Sequence, residues 1–322
     1  MSSAALPKQR SLAMAEIGWI GLGNMGAPMA ANLVKAGHNV RGFDLSPRAV
    51  ATAEAAGVQA VASIAEAVAG ADVVFTMLPK GEHARAVYLE PDGILAHASL
   101  DTLLIDSSTI DVESAQALHD AAAAGRFRFV DAPVSGGMSG AQAGTLTFMV
   151  GGAEDAVADA AAYIEPMAGN VIPTGGPTTG QAAKICNNLM LFINLAATAE
   201  GAVLADRLGL DKQVFWDIAS VSSGDSWALR TWYPVPGVVD TAASNNNFEP
   251  TFTAELANKD INLAIAAARD TGTPLEIGEH VQQLFARLID AGQAGKDCSM
   301  IVQLVDGTLR ADVPETDQVP AP

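Results

Sequence analysis

Residues 17–26 read Ile17-Gly-Trp-Ile-Gly21-Leu-Gly23-Asn-Met-Gly26, an apolar run that leads directly into three spaced glycines. The pattern predicts a short strand over residues 17–20, a glycine turn, and then a helix over about residues 27–36. A second strand, over residues 39–43, ends in Asp44, 21 residues after the middle glycine. Strand, glycine turn, helix and an acidic strand end together are the signature of a dinucleotide-binding βαβ unit.

The glycine turn is suited to holding a dinucleotide. Its glycines allow a tight turn and a close approach to a pyrophosphate, which then sits where a helix N-terminus offers free N–H groups. Asp44 can accept hydrogen bonds from both ribose hydroxyls, and its charge repels a 2′-phosphate, which favours NAD over NADP. Arg48 is close enough in sequence to tolerate that phosphate, so NADP is the open alternative. The candidate cofactor residues here are Gly21, Leu22, Gly23, Asn24, Met25, Gly26 and Asp44.

Strand and helix patterns continue to alternate, which predicts a doubly wound α/β domain over residues 16–178. Ligands of such sheets bind beyond the carboxyl ends of the strands. Three candidate ligand contacts follow predicted strand ends: Leu78-Pro79, Thr109 and Ser135-Gly136-Gly137. In the last of these, a hydroxyl and exposed backbone N–H groups form a natural seat for a carboxylate, although an ordinary glycine-rich loop has the same composition.

A second informative stretch reads Gly180-Gln-Ala-Ala-Lys184-Ile-Cys-Asn187-Asn188 and opens a segment without proline that ends before Gly209. The pattern predicts one helix over residues 179–208, about 30 residues and roughly 45 Å long. It is apolar almost all round, which predicts a buried helix, and Cys186 is interpreted as a packing residue. One face carries the polar residues that recur at spacings of three and four: Gln181, Lys184, Asn187 and Asn188.

A lysine beside amides on a buried helix requires an explanation, because burying an unmatched charge is costly. One interpretation is a solvated stripe, although the first acid in this helix is Glu200. The other is a cleft in which Lys184 meets a substrate and Asn188, one turn further on, orients it.

Helical patterns cover most of the remaining chain and predict an all-α domain over residues 179–310. They lie at residues 211–219, 252–271, 274–291 and 300–309. Residues 222–250 form a long irregular segment whose tryptophans line either a cleft or a core. Lys259-Asp260, taken alone, is a common surface dipeptide.

Composition narrows the class of protein. The 322-residue chain is 49% hydrophobic and carries a formal net charge of −18, which argues against nucleic acid or anionic lipid as a partner. The longest apolar run, residues 189–199, is too short for a membrane span of about 18–20 residues. Two cysteines indicate a reducing compartment, and the cytoplasm is favoured over the mitochondrial matrix. Residues 1–15 are predicted to be an N-terminal extension and residues 311–322 a disordered tail.

Taken together, these motifs resemble the β-hydroxyacid dehydrogenase family, in particular its hydroxyisobutyrate branch, from residue 17 to about residue 305. The family's glycine loop matches residues 21–26. Its substrate-binding signature matches Asp131-Ala-Pro-Val-Ser-Gly-Gly137, and its catalytic signature matches the stretch from Gly180 to Asn188. The resemblance implies a Rossmann domain joined by a long helix to an all-α domain, the 6-phosphogluconate dehydrogenase-like arrangement, in a homodimer or homotetramer.

The resemblance also implies a role for each matched residue. Lys184 is the general acid/base, Asn188 orients the substrate, and residues 135–137 hold its carboxylate. Lys259 lies beside the nicotinamide, and further cofactor contacts are Leu78, Pro79 and Thr109. The implied reaction is NAD-dependent oxidation of 3-hydroxyisobutyrate to methylmalonate semialdehyde. The sequence has no metal-binding pattern, and an organic hydride acceptor requires no metal.

A lysine with a pKa of about 10.4 is a poor base at neutral pH, so burial and the positive nicotinamide are expected to lower the pKa of Lys184. The rate is then expected to climb into alkaline pH.

The alternative enzymes that share the fold and the lysine are tartronate semialdehyde reductase and glyoxylate or succinic semialdehyde reductase. Serine is another candidate substrate. Imine reductases share the architecture but lack the lysine. A non-catalytic dinucleotide-binding module is the alternative from a different class.

Overall fold

The computed structural model describes residues 14–309, which divide into two compact units with the boundary between Lys184 and Ile185. The predicted tail over residues 311–322, and the first 13 residues of the predicted extension, lie outside the described residues. Ala15 is buried, and its backbone N–H donates to Nδ1 of His38 at 3.2 Å. The first unit therefore includes the last residue of the predicted extension.

The first unit is a largely parallel sheet with helices packed against it. Its described strands are β1 (Glu16–Ile20), β2 (Asn39–Phe43), β3 (Gln59–Ala60), β4 (Val73–Thr76), β5 (Leu103–Asp106), β6 (Arg128–Asp131), β7 (Val134–Ser135), β8 (Leu146–Gly152) and β9 (Ala168–Gly175). Its described helices are α1 (Gly26–Lys35), α2 (Pro47–Ala55), α3 (Ile64–Val68), α4 (Gly81–Leu89), α5 (Ile94–His97), α6 (Val112–Ala124), α7 (Gly137–Ala143) and α8 (Glu154–Ile164). The strand order is β3-β2-β1-β4-β5-β6-β8-β7, with β9 paired to β8.

Alternate residues of the central strands enter two separate hydrophobic cores. Val73 and Phe75 of β4 lie in the larger core, where Phe75 stacks on Trp19 of β1 with 5.1 Å between ring centroids. Val74, between them, lies in the second core. Because successive side chains of a strand point to opposite faces, β4 is buried on both, as in a parallel sheet covered by helices.

The carboxyl ends of the central parallel strands are level at one edge of the sheet. Thr76 of β4 pairs with Ile20 of β1 on one side and with Asp106 of β5 on the other. Asp131, at the end of β6, pairs with Asp106. The segments that follow these strands therefore emerge side by side, where doubly wound sheets bind their ligands.

The second unit is helical. The described helices from the boundary onward are α9 (Thr179–Arg207), α10 (Lys212–Ala219), α11 (Trp227–Thr231), α12 (Ala254–Thr271), α13 (Glu276–Asp290) and α14 (Val302–Asp306), with 3-10 turns over Ala243–Asn246 and Cys298–Ile301. Helix α9 begins in the first unit and continues into the second. The predicted fold, a Rossmann-type domain joined by a long helix to an all-α domain, is confirmed. The helix predicted over residues 300–309 is shorter, because a 3-10 turn precedes α14 and Gly307, with a φ of 83°, ends it.

An aromatic cluster forms the centre of the second unit. Phe192 of α9 meets Phe285 of α13 edge-on at 5.4 Å and stacks on Phe252 at 6.1 Å between ring centroids. Trp232, from the irregular segment, stacks on Phe252 and is buried in this core. Trp227 packs edge-on against Trp232 but remains exposed. Only one of these two tryptophans is therefore a core residue.

Helix α9 is not buried all round, contrary to the expectation from its composition. Met190 and Leu204 are exposed, as is Leu208 directly after the helix, and so is Cys186, which is therefore not a packing residue. The apolar positions on this side of the helix are left uncovered by the described part of the chain. By length and composition alone α9 is also long enough to cross a bilayer, and half of its most apolar window is buried inside the protein.

The start of α9 is packed tightly against the edge of the sheet. A Cβ at Gly180 would lie 2.5 Å from the Met149 carbonyl oxygen and 2.6 Å from that of Asp131, both on strands. We expect Gly180→Ala to lower the free energy of unfolding by about 1–3 kcal/mol, because backbone atoms must shift to make room. Denaturant unfolding measures this loss.

Gly201 of the same helix provides the control. A Cβ there would lie 3.4 Å from the Phe215 ring, which is an ordinary contact. Gly201→Ala should therefore stabilise the protein by roughly 0.5–1 kcal/mol, through higher helix propensity. If both substitutions changed stability equally, close packing at Gly180 would not be the constraint.

Candidate active site

The glycine turn after β1 has the shape of a pyrophosphate-binding loop. Gly21 has a φ of 96°, and a Cβ on it would clash with the Met77 carbonyl oxygen. A Cβ on Gly26 would clash with the Gly21 carbonyl oxygen, which also accepts a hydrogen bond from Nε1 of the buried Trp19 at 2.9 Å. Gly23 lies at the exposed tip, with nothing within 4 Å of its Cβ position. The loop is thus fixed at both ends and open where a phosphate would approach.

The other residues of this loop divide between packing and exposure. Leu22 is buried, Met25 is half-buried, and Asn24 is exposed beside Gly23. Asp44, at the end of β2, is half-buried and accepts the Leu22 N–H at 2.7 Å and the Ser46 N–H at 2.7 Å, one on each oxygen. The carboxylate therefore anchors the loop as well as offering its remaining lone pairs to a ribose. The open glycine tip and the Asp44 carboxylate together fit a dinucleotide.

A buried network joins the next two ligand segments. The Thr76 and Ser108 hydroxyls each donate to Oδ1 of Asp106 at 2.6 Å, and Ser108 Oγ accepts the Leu78 N–H at 2.8 Å. Asp106 is fully buried, and this burial raises the pKa of its carboxyl group above the ordinary value. Leu78 is half-buried and Pro79 exposed, and Thr109 follows directly after Ser108. The polar network therefore fixes the two segments predicted to contact the cofactor.

The predicted carboxylate loop, residues 135–137, follows β6 at the same edge. Ser135 ends β7, which pairs with β8, and is half-buried. Gly136 has a φ of 129° and Gly137 a φ of 62°, conformations that favour glycine. Gly137 is exposed, with nothing within 4 Å of its Cβ position. The loop presents backbone to open space, as a seat for an anion requires.

Asp131, the last residue of β6, bonds to the start of the lysine helix α9. One oxygen accepts the Thr178 N–H at 3.0 Å and lies 2.8 Å from Nε2 of the buried His119, and the other accepts the Gln181 N–H at 2.8 Å. The first residue of the substrate-binding signature thus caps α9 through N–H groups that have no partner within the helix. Lys184 follows one turn later and is 8% exposed. A solvated stripe is therefore excluded as the explanation of Lys184.

The second unit contains its own polar cluster. Asn188 is buried and donates from Nδ2 to Oδ2 of Asp260 at 2.7 Å. Lys259 Nζ lies 2.9 Å from Oδ1 of Asp260, as an ion pair without hydrogen-bond alignment. Asp260 is 4% exposed, so the interpretation of Lys259-Asp260 as a surface dipeptide is wrong for the acid. The missed signal was the buried face of α12: Ala257, Asp260, Ile261 and Ala264.

Across residues 14–309, no group of three or more His, Cys, Asp or Glu side chains is placed to hold a metal ion. Within the first unit, the structure brings the glycine loop, residues 78–79, Thr109 and residues 135–137 to one sheet edge. Lys184 lies on the helix capped at that edge. The residues there are suited to holding a dinucleotide and a small carboxylate beside a lysine.

The amino-acid sequence matches two family models. One, described as the NAD binding domain of 6-phosphogluconate dehydrogenase, matches residues 16–176. The other, described as NAD-binding of NADP-dependent 3-hydroxyisobutyrate dehydrogenase, matches residues 178–305. Together they span both units.

Individual relatives are similar over nearly their whole length. A probable 3-hydroxyisobutyrate dehydrogenase of Mycobacterium tuberculosis is 48% identical over 298 residues, which is 92% of this chain and 99% of the relative. The NAD-dependent L-serine dehydrogenase of Pseudomonas aeruginosa is 43% identical over 295 residues, with coverages of 92% and 99%. A solved structure of the Mycobacterium tuberculosis 3-hydroxyisobutyrate dehydrogenase with L-serine superposes with a TM-score of 0.85 at 47% identity, covering 91% of this chain and 99% of that one.

The raised pKa of Asp106 predicts a pH-dependent stability. The folded state binds the proton more tightly than the unfolded chain, so the free energy of unfolding falls as pH rises from about 4 through the raised pKa. We expect Asp106→Asn, which cannot titrate, to gain stability relative to wild type between pH 4 and pH 7. Urea unfolding at several pH values measures the difference.

Asp120→Asn is the matched control, because Asp120 lies in the same unit and its carboxylate is exposed. Its stability relative to wild type should change much less over this pH range. An Asp106→Asn difference that stayed constant with pH would contradict the effect of burial.

Proposed function

Because the chain belongs to the 3-hydroxyisobutyrate dehydrogenase family, we propose that it oxidises 3-hydroxyisobutyrate to methylmalonate semialdehyde with NAD⁺ as hydride acceptor. The observation that carries the proposal is the buried Lys184 on a helix capped by Asp131, the first residue of the predicted substrate-binding signature. This reaction is a step in the breakdown of valine, and the cytoplasm is the proposed location.

The proposed chemistry removes a hydride from C3 of the substrate and a proton from its hydroxyl group. The bound nicotinamide supplies the hydride acceptor. Neutral Lys184 takes the hydroxyl proton, and in the reverse direction its ammonium form returns it. Residues 135–137 bind the substrate carboxylate through the Ser135 hydroxyl and backbone N–H groups. Asn188, one turn after Lys184 on the same helix, orients the hydroxyl group.

Asp44 supports NAD as the preferred cofactor. Its carboxylate stands at the end of β2 and is held by two backbone N–H groups, so it is fixed where a 2′-phosphate would approach. Arg48, in the first turn of α2, is exposed and is the residue that would serve NADP instead. Lys259 is proposed to contact the nicotinamide end, and Leu78, Pro79 and Thr109 remain proposed cofactor contacts.

L-Serine is the second candidate substrate, because a 43% identical relative is an L-serine dehydrogenase. Serine and 3-hydroxyisobutyrate share the carboxylate and the CH₂OH group and differ at C2, which carries an ammonium in one and a methyl in the other. Lys184 and residues 135–137 suit both molecules. The surroundings of C2 decide between them, since burying an unmatched ammonium is costly. Semialdehyde reduction with NAD(P)H is the remaining alternative.

The exposed apolar surface of the second unit supports a homodimer or homotetramer. Leu204 of α9 and Leu208, directly after it, are exposed, and so are Val214 and Ile218 of the following helix. Helix α10 packs on α9, with the Phe215 ring 3.4 Å from the Cβ position of Gly201. An apolar surface of this kind marks an interaction site, and a second copy of the chain is the proposed occupant.

Initial rates at mildly alkaline pH test the proposed function. NAD⁺ and NADP⁺ are each paired with 3-hydroxyisobutyrate, L-serine and glycerate. We expect kcat/KM for 3-hydroxyisobutyrate with NAD⁺ to exceed every other pair by about tenfold or more, since one changed substituent is worth about that much. Lys184→Ala should lower kcat by about 10²–10⁴, because it removes the acid/base group.

Each part of the proposal has its own contradicting result. If Lys184→Ala kept more than about a tenth of the wild-type kcat, Lys184 would not be the acid/base. If serine gave the highest kcat/KM, the chain would be a serine dehydrogenase with the same site. If glycerate with NADP⁺ gave the highest value, the protein would be a semialdehyde reductase and Arg48 the phosphate ligand.

The oligomer is tested by placing a charge on the apolar surface. Leu208→Glu should lower the molar mass measured by light scattering after gel filtration, because a buried carboxylate destabilises an apolar interface. Leu100→Glu, at an exposed leucine of the first unit, is the control and should leave the mass unchanged. A wild-type mass equal to one chain would refute the oligomer.

A further inference from the structure

The side chain of Gln181 is fully buried and bonds to the backbone on both sides of one residue. Its Nε2 donates to the Ser108 carbonyl oxygen at 2.7 Å, and its Oε1 accepts the Ile110 N–H at 3.2 Å. Between those two backbone groups lies Thr109, a proposed cofactor contact. The Gln181 amide therefore holds the backbone of the proposed cofactor segment on both sides of Thr109.

The backbone of Gln181 is fixed to a second segment. Its N–H donates to Asp131, the residue that begins the predicted substrate-binding signature. Lys184 lies three positions further along α9, so both side chains project from the same face of the helix. Gln181 thus contacts the cofactor segment with its side chain and the substrate segment with its backbone, one turn before the lysine.

From this geometry we infer that Gln181 is a positioning residue of the proposed dehydrogenase reaction, holding the Thr109 segment and the Lys184 turn in one register. The inference rests on the proposed function. Hydride and proton transfer depend on alignment, and a displacement of about 1 Å can cost about 10²-fold in rate. Gln181 itself touches neither the substrate nor the cofactor in this role.

Ser108, which accepts a hydrogen bond from the Gln181 amide, is also fixed on its other side. Ser108 is held from the other side by Asp106, which accepts its hydroxyl at 2.6 Å and its backbone N–H at 3.3 Å. The Gln181 side chain therefore bonds to a segment that is already fixed to the sheet. Losing these two hydrogen bonds should move the first turn of α9 relative to that segment. Two unpaired buried groups, the Ser108 carbonyl and the Ile110 N–H, would drive that movement.

Gln181→Met tests the inference, because methionine has a similar length and lacks both hydrogen bonds. We expect kcat to fall by about 10- to 100-fold, with less than about a threefold change in the KM for NAD⁺. The kinetic isotope effect on kcat with substrate deuterated at C3 should rise, since misalignment slows the hydride step itself. A residue with a merely structural role would lower the melting temperature and leave these kinetic values unchanged.

Thr102→Val is the matched control. Thr102 directly precedes the amino end of β5, its buried hydroxyl donates to the Ala71 carbonyl oxygen at 2.8 Å, and valine removes that bond with little change of shape. It lies at the opposite end of the same strand from Ser108 and Thr109. Its melting temperature should fall, whereas kcat and the isotope effect should stay at wild-type values.

Gln181→Glu provides rescue through pH. The introduced carboxyl would be fully buried, as the Gln181 side chain is, so its pKa should lie well above that of an exposed glutamate. When protonated, it can again donate to the Ser108 carbonyl and accept the Ile110 N–H. The kcat of this variant, as a fraction of wild type at the same pH, should therefore rise as pH is lowered from about 9 to about 6.

The outcomes separate the two proposals. If wild type oxidises a 3-hydroxy acid and Gln181→Met keeps its kcat and isotope effect, the inference is wrong and the proposed function stands. A Gln181→Glu fraction that does not change with pH also contradicts the inference. If wild type oxidises no 3-hydroxy acid, the proposed function fails and the catalytic role of Gln181 fails with it.

Discussion

The candidate site depends on the capping of α9 by a single buried carboxylate. Asp131 accepts two backbone N–H groups at the start of that helix and lies 2.8 Å from the ring of His119. Buried charge is costly, and here it is offset by these two N–H groups and by the positive end of a long helix. Because Asp131 is also the last residue of β6, the cap fixes the helix directly to the sheet. The position of Lys184 follows from that attachment.

Neutral donors and glycines at this edge of the sheet are suited to binding anions. A dinucleotide and a hydroxy acid both carry negative charge, and the chain itself has a formal net charge of −18. Asp106 is fully buried, so its carboxylate does not reach the open side, and its Oδ1 accepts the Thr76 and Ser108 hydroxyls. The open side presents the backbone of Gly23 and Gly137. Backbone N–H groups can therefore approach an anion closely at these two glycines.

The fold and part of the site could be predicted because local sequence patterns determine them. The glycine spacing from Gly21 to Gly26, the acid at Asp44 and the apolar strands follow from backbone sterics and side-chain period. The predictions that were wrong concerned which side chains are buried. The exposure of Met190 and Leu208, and the burial of Asp260, depend on which neighbours cover a face, and no local pattern carries that information. The two side-chain hydrogen bonds of Gln181 join residues 71 and 73 positions apart, so no local pattern could predict them either.

Asn188 shows how a missed acid determines the chemistry of a predicted residue. A carboxylate only accepts hydrogen bonds, so the contact with Asp260 requires the nitrogen end of the Asn188 amide to face it. On the other end, Asn187 donates from Nδ2 to Oδ1 of Asn188 at 3.1 Å. The orientation of the amide is therefore fixed by two neighbours of opposite character. An amide has a second N–H and a second lone pair, and this capacity suits the proposed role of orienting a hydroxyl group, since a hydroxyl both donates and accepts.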